Sequence, residues 1–516
     1  MKKLPIGMQN FKTLIKENYI YVDKTKTIYQ LVSGKMGRYF FLSRPRRFGK
    51  SLLVSTLKEL FLGNKELFKN LWIYNSDFKW KSHLVISLDF STIGHRTAEE
   101  LTNNISWKLE QVGQENGIDI TSAPSIEAKF QYLITQLSKI NKVVILIDEY
   151  DKPLIDHINN PEEAFKQQEV LRSFYSVIKA SDAEFVFLTG VTKFSKTSVF
   201  SGLNNLIDLT ILPEMGGLLG YTQLEVDKYF CSYANAIAEN KNQTIEHIKA
   251  GMRAWYNGYQ FSETALKVYN PFSVLSYLST QRLSNYWFET GTPFVLINLI
   301  KINNYPIENI QNSKLNDLDL ASMEINHIKL IPLLFQTGYL TIKSYDEESR
   351  NYTLDYPNEE TKVAFLYSIM DYLMHISVSA TSAILLDIIK SLKDNDLNQF
   401  FQNLNVFFSG IPYTIQEGTE RYYQSCFYIL MKLTSAYIRA EEVTNVGRID
   451  AIIINEKTIY IFEFKVNQSA DIALQQIEDK KYFEPYLCDN KKIIAVGVNF
   501  NTNKRNIDSW KEKVIL

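Results

Sequence analysis

Three small groups of residues have types and spacings that could do chemistry. The first is R-P-R-R-F-G-K-S (44–51), which follows a strand-like run of aromatic and aliphatic residues and leads into an apolar-faced helix. Loop amides and a helix N-terminus offer hydrogen-bond donors to phosphate. In such a loop Lys50 would bring a cation to the β- and γ-phosphates of a nucleoside triphosphate, and Ser51 a hydroxyl to magnesium. Gly49, Arg46 and Arg47 would complete the cradle. One departure stands out: the position where such loops carry their first glycine is Arg44, and Pro45 follows it. The loop therefore cannot take the ordinary conformation unchanged, and alone it also reads as a basic turn before a helix. For Arg46 and Arg47, phosphate contact, action in trans on a neighbouring subunit and simple solvation all stay open.

The second group shifts the balance toward ATP. V-V-I-L-I-D-E-Y ends an apolar strand in Asp148 and Glu149. In P-loop ATPases the first acid of such a pair orders the magnesium shell and the second polarises the attacking water. T-G-V-T-K-F-S-K (189–196) follows the next strand, where a polar sensor often sits; Thr189 or Thr192 would reach the γ-phosphate side, or the segment is only a strand exit.

The third group is Asp450, Glu463 and Lys465, in the pattern D-x12-E-x-K. Residues two apart on a strand share a face, so Glu463 and Lys465 project together, and a hairpin brings Asp450 to them. Two carboxylates hold Mg²⁺ or Mn²⁺, which polarises a phosphodiester and lowers the pKa of a bound water. The lysine would position that water and offset developing charge. Charged residues inside I-Y-I-F-E-F-K-V cost much unless they serve a site or pair; an edge strand in solvent is the bland alternative. Glu420, on a preceding helix, is a candidate third carboxylate. Gln476, Lys480 and Tyr482, at near-helical spacing, could orient phosphate or the lysine.

The elements that must position these groups follow from the apolar pattern. Strands are expected at 38–43, 84–90, 142–150 and 185–191, with helices between them, for example over 163–180. Near-continuous apolar strands alternating with helices imply a parallel sheet covered on both faces. From about 222 the pattern turns helical and aromatic, with W-Y-N-G-Y (255–259), Y-N-P-F (269–272) and Y-W-F-E-T-G (286–291), and a hairpin is expected over 338–356. Toward the C-terminus, 447–454 and 458–465 form a second hairpin around Asn455-Glu456-Lys457. A helix over 470–486 and a strand over 492–500 follow. The fold class is α/β, with an N-terminal P-loop domain over 1–221, a mostly helical region with a small hairpin over 222–375, and a C-terminal nuclease-like α/β domain over 376–516.

A chain of 516 residues is long enough for two or three cores. Its 56 Lys and Arg against 57 Asp and Glu leave a charge of -1, so a nucleic-acid surface would have to be a local patch. Cys231, Cys426 and Cys488 are too few and scattered for a disulfide framework or a zinc site. No signal peptide and no apolar run long enough to span a bilayer is legible, which points to a cytoplasmic protein without membrane contact.

Together these motifs resemble those of bacterial AAA-ATPase-like proteins with a C-terminal PD-(D/E)XK nuclease-superfamily domain. The resemblance runs through L-P-I-G (4–7), Y-V-D-K-T (21–25), S-R-P-R-R-F-G-K-S (43–51), L-I-D-E-Y-D-K-P (146–153), Y-N-P-F-S-V-L (269–275), T-N-V-G-R-I-D (444–450) and E-F-K (463–465). It implies an ATPase core with Lys50, Ser51, Asp148 and Glu149 in their usual roles, and a restriction-endonuclease-like fold with Asp450, Glu463 and Lys465 as its triad. Arg44 is in keeping with the family; Ile449 stands where the strict motif has proline. The resemblance implies ATP and Mg²⁺ as cofactors, and nucleic acid, DNA by preference, as partner. A homo-oligomer such as a ring is left open. Three functions compete: an ATP-regulated nuclease, an ATP-driven switch whose nuclease-like domain only docks nucleic acid or a protein, and an ATPase acting on protein partners through its helical region.

Overall fold

The computed structural model describes the chain apart from residues 195–198, 200–204, 265, 288–292, 303–304, 317–318, 321–322, 325–327, 375–377, 412–419, 435–438, 442–449, 456 and 488–490. Two compact units emerge, one of Met1–Leu296 with Gln311–Thr361, the other of Ile297–Ile310 with Lys362–Leu516. By packing, much of the helical region after residue 221 thus belongs with the first unit.

The first unit is built on strands β1 (Tyr39–Ser43), β2 (Leu84–Asp89), β3 (Val143–Asp148), β4 (Phe185–Gly190) and β5 (Ile207–Asp208). They form a parallel sheet in the order β2-β3-β4-β1-β5. All six residues of β3 and of β4 are buried, as continuous Val, Ile, Leu and Phe runs require of strands covered on both faces. On one face Phe40, Leu42, Val144, Leu146 and Phe187 pack against Leu53, Val54 and Leu57 of the helix Lys50–Phe61. On the other, Phe130 stacks on Phe174 from the helices Ile126–Ile140 and Pro161–Lys179.

The same unit continues into helices Gln223–Lys241, Ile245–Tyr256 and Pro271–Thr280. The first starts in a Thr222–Glu225 capping box and the third at the Asn270 cap with Pro271 behind it, both strong start signals. A small antiparallel sheet joins β6 (Lys314–Asn316), β7 (Thr341–Asp346) and β8 (Asn351–Asp355); β7 and β8 form the hairpin expected over 338–356.

The second unit carries β9 (Arg439–Glu441), β10 (Ala451–Ile454), β11 (Thr458–Val466), β12 (Lys492–Asn501) and β13 (Asn506–Val514), in the order β13-β12-β11-β10-β9. Only β11 and β12 run parallel, linked by the helix Ala470–Asp479. Phe462 and Phe464 pack on Phe427, and Phe462 also on Phe400, while Ile459 and Ile461 on the other face join Ile477. The helix expected over 470–486 stops at Asp479 because Lys481 turns left-handed (φ 50°) and Tyr482 drops into the core. Among the described residues no helix is long and apolar enough to cross a membrane.

Candidate functional sites

The carboxyl ends of parallel strands are where open α/β sheets bind ligands, and the first site forms there. Leaving β1, the chain makes the loop 44–49 and enters the helix at Lys50, with Gly49 as its cap at φ 95°. Space around Gly49 is open, so its left-handed backbone alone explains the glycine. Arg44 answers how a loop without its first glycine holds shape. Its side chain runs into the interior, 1% exposed, with its guanidinium donating to the carbonyls of Ser43 (2.9 Å) and Thr210 (2.7 Å) and lying 4.1 Å from the Phe261 ring centre. Burial lowers its pKa to about 9, against the pull of Asp208.

Lys50, 6% exposed, folds back over the loop and donates to the carbonyls of Arg44 (3.0 Å) and Pro45 (3.1 Å). Burial pushes its pKa down; Asp148, Glu149 and Asp151 oppose the shift and Arg46 adds to it. Asp148 closes β3 and is bonded to Ser51. Burial raises its carboxyl to about 6, with Ser51 and Lys50 pulling the other way. Glu149 takes φ 51°, uncommon for a side-chain-bearing residue, with its N–H donating to Asp148 Oδ1 at 3.0 Å. Its pKa is also raised, chiefly by burial. A cavity of about 400 Å³ opens over the loop, lined by Arg46, Arg47, Gly49, Lys50, Ser51 and Glu149 together with Pro5, Tyr221 and Phe272. That is within the range of small-molecule sites.

Thr189 is buried on β4 and, by strand alternation from Phe187, faces the side covered by the loop helix. It does not line the cavity. Thr192 is engaged elsewhere, bonded to Asp151 through both its N–H (2.6 Å) and its hydroxyl (2.7 Å). Sequence reasoning missed two acids. Asp151 is buried beneath the site, and Asp89 ends β2 in register with Asp148. An acid closing the apolar run L-V-I-S-L-D was the legible signal for Asp89.

The second site lies at one end of the β10–β11 hairpin. Ala451 pairs with Phe462, so one step further Asp450 comes opposite Glu463. Asp450 Oδ2 accepts the N–H of Phe464 at 2.7 Å. Lys465 Nζ donates to Glu463 Oε1 at 3.0 Å and to the Phe464 carbonyl at 3.1 Å. Glu463 is only 2% exposed. Its register partner on β12 is Gly497, where a Cβ would stand 2.2 Å from the Ala470 carbonyl oxygen. The start of the helix Ala470–Asp479 can lie this close to the strand only because residue 497 has no side chain.

Glu420 begins the helix Glu420–Thr434, but its side chain lies outside the described residues, as do Gly447, Arg448 and Ile449. Gln476 is half-buried on the helix after β11, Lys480 is exposed at its end, and the Tyr482 ring belongs to the core with Ile459 and Ile477. Among the described residues no group of three or more His, Cys, Asp or Glu is arranged to hold a metal. The donors present are hydroxyl and carboxylate oxygens, Ser51 with Asp148 and Asp450 with Glu463, a hard set that suits a divalent cation completed by phosphate or water oxygens.

A parallel sheet with a phosphate loop, and a mixed sheet with paired carboxylates and a lysine, define a protein that joins a P-loop NTPase domain to a restriction-endonuclease-like one. Residues 5–200 match the predicted AAA-ATPase family model and residues 418–510 that of the PD-(D/E)XK nuclease superfamily. A protein of Azotobacter chroococcum mcd 1, described as an uncharacterized protein in vnfD 5'region, is 37% identical over 523 aligned residues, covering 98% of each chain. No solved structure matches. The chain belongs to the family of predicted AAA-ATPases with a C-terminal PD-(D/E)XK nuclease-superfamily domain.

Proposed function

We propose that this protein binds and hydrolyses ATP with Mg²⁺ at the first site, and that its nucleotide state controls phosphodiester hydrolysis of nucleic acid, DNA in preference, at the second. The observation that supports it best is the Glu463–Lys465 pair: a buried acid and a lysine side by side, with Asp450 opposite, at the end of a strand. A structural ion pair gains little from so costly a position, whereas a phosphodiester site needs this combination.

At the first site Lys50 would leave the Arg44 and Pro45 carbonyls for the β- and γ-phosphates, and the loop amides would hold the rest of the chain. Ser51 and Asp148 would hold Mg²⁺, which would supply neutralisation of the charge developing on the phosphate oxygens. Glu149 would take the proton of the attacking water; its raised pKa brings it closer to the operating pH, as a general base requires. At the second site Asp450 and Glu463 would hold the metal, and Lys465 would orient the water and meet charge developing on the phosphate. Arg46 and Arg47, which line the cavity, would contribute as phosphate ligands; Thr189, buried off the cavity, would sense the γ-phosphate only through the residues between them. A cytoplasmic setting fits these substrates.

The test is cleavage of labelled single- and double-stranded DNA and RNA with Mg²⁺ or Mn²⁺, with and without ATP, by wild type, Glu463→Ala and Lys50→Ala. Cleavage lost in Glu463→Ala and altered by ATP only when Lys50 is present is the expected result. ATP turnover without cleavage of any of these substrates would sink the nuclease half and leave an ATP-driven switch.

A further inference from the structure

The aromatic motifs of the helical region take no part in the chemistry above, yet the structure gathers them around the phosphate loop. Arg47 lies over Phe272, Phe48 meets Tyr259 edge-on, and the Trp287 indole N–H donates to the Arg46 carbonyl at 3.0 Å. Trp287 is itself fixed twice. Its ring packs edge-on to Tyr339 at 5.1 Å, and its main-chain N–H donates to Glu360 Oε1 at 2.8 Å.

Glu360 is fully buried. The Ser273 hydroxyl bonds its two oxygens at 3.0 and 2.8 Å, and the N–H of Tyr286 also reaches it. Among the described residues its titratable neighbours are the phenols of Tyr256 and Tyr259, both held protonated by burial. None of these groups is a cation. Burial accordingly pushes the Glu360 carboxyl up to about 7. An acid kept in such a place is costly; what it supplies is two acceptors that tie Trp287 and the start of the helix Pro271–Thr280 to one point.

A trans peptide points its C=O and N–H in opposite directions. Holding the Arg46 carbonyl on the indole therefore turns the Arg47 N–H to the other side of the loop, and helps Arg47 keep its left-handed φ of 66°. We propose that Trp287 and Glu360 are positioning residues for the nucleotide site: Glu360 fixes Trp287, and Trp287 sets the loop peptide that presents its amide to phosphate. The inference rests on the reading of loop 44–51 as the nucleotide site.

The experiment measures Mg·ATP binding by calorimetry and ATP turnover between pH 6 and 8.5, on the full chain. Wild type is compared with Trp287→Phe, Glu360→Gln and Lys50→Ala. Loss of one hydrogen bond corresponds to roughly three- to tenfold weaker binding, so Trp287→Phe raises KM by that factor with kcat within about twofold. Deprotonated Glu360 is the better acceptor. Wild-type binding therefore weakens as pH falls through about 7, and Glu360→Gln removes that part of the slope while its far-UV spectrum stays unchanged. If Trp287→Phe fails to fold, the Glu360→Gln profile decides. Both variants matching wild type across the range, with Lys50→Ala defective, overturn the positioning role alone. Wild type that does not bind Mg·ATP, or binds it equally well as Lys50→Ala, overturns the nucleotide site and this inference with it.

Discussion

The two sites use the same few residue types but are assembled in opposite ways. At the C-terminal site all three groups fall within Asp450–Lys465, and one hairpin register brings them together. At the N-terminal site the loop, Asp89, Asp148 and Glu149 come from the ends of three strands, and the loop leans on residues as distant as Phe261 and Trp287. Their charges are balanced differently too. Lys465 meets an acid directly at 3.0 Å, whereas Lys50 and Arg44 rest on main-chain carbonyls. A pair already in contact suits a site whose groups keep their places. On the proposed function, a lysine resting on carbonyls would suit a site that gives its cation to an incoming phosphate.

The sharpest break between the sites should come from Glu463→Gln, which is expected to lower metal-dependent cleavage by roughly 10²–10³-fold or more while ATP turnover stays within about twofold. Loss of turnover as well would show that the sites are not separable. The converse, Lys50→Ala, should reduce ATP turnover by about 10²-fold or more, read by phosphate release, and leave the C-terminal unit's melting transition in place. Gly497→Ala forces a methyl group toward the Ala470 carbonyl and should destabilise that unit by about 1–3 kcal/mol, seen in thermal unfolding; an unchanged transition would mean that the helix is free to lift.

Asp148→Asn tests the electrostatic side. Burial pushes the native carboxyl up from 3.8 to about 6, so the folded state holds its proton more tightly than the unfolded one. Stability from this group therefore falls as pH rises from about 4 to 6 and stays lower above that. The asparagine should make the nucleotide-free protein more stable at pH 8 by on the order of 1–3 kcal/mol, while abolishing turnover. No gain in denaturant titration would refute the burial argument. Smallest of all, Arg47→Ala removes the stack on Phe272, worth about 0.5–1 kcal/mol at an exposed position, and should raise the KM for ATP two- to fivefold.

How much the sequence disclosed follows the same divide. The β10–β11 hairpin, its turn at Asn455 and the E-x-K face were readable because a period of two and a short turn are local facts. The strands of the parallel sheet were readable from apolar runs, as was the loop helix. Their lateral order was not, because it depends on which edges pair across roughly 40 to 170 residues, and with it went the meeting of Asp89 with Asp148. The two-residue β5 and the heavily charged β13 carry too weak a pattern to find. Arg44 was legible only as a departure from glycine: nothing near it in the chain announces Thr210 or Phe261. Tyr482 misled because its helical spacing from Gln476 broke at Lys481.

The buried Arg44 also bears on how far this segment could be transplanted. Residues 44–51 do not carry their own shape: one anchor is a guanidinium sunk between main-chain carbonyls and a ring, and the others are side chains of the helical region. Grafted alone into another parallel-sheet scaffold, the octapeptide would bury a cation with nothing to receive it. What can be moved as a unit is the loop with its aromatic mould, so inheritance of this motif means inheritance of the helical region as well.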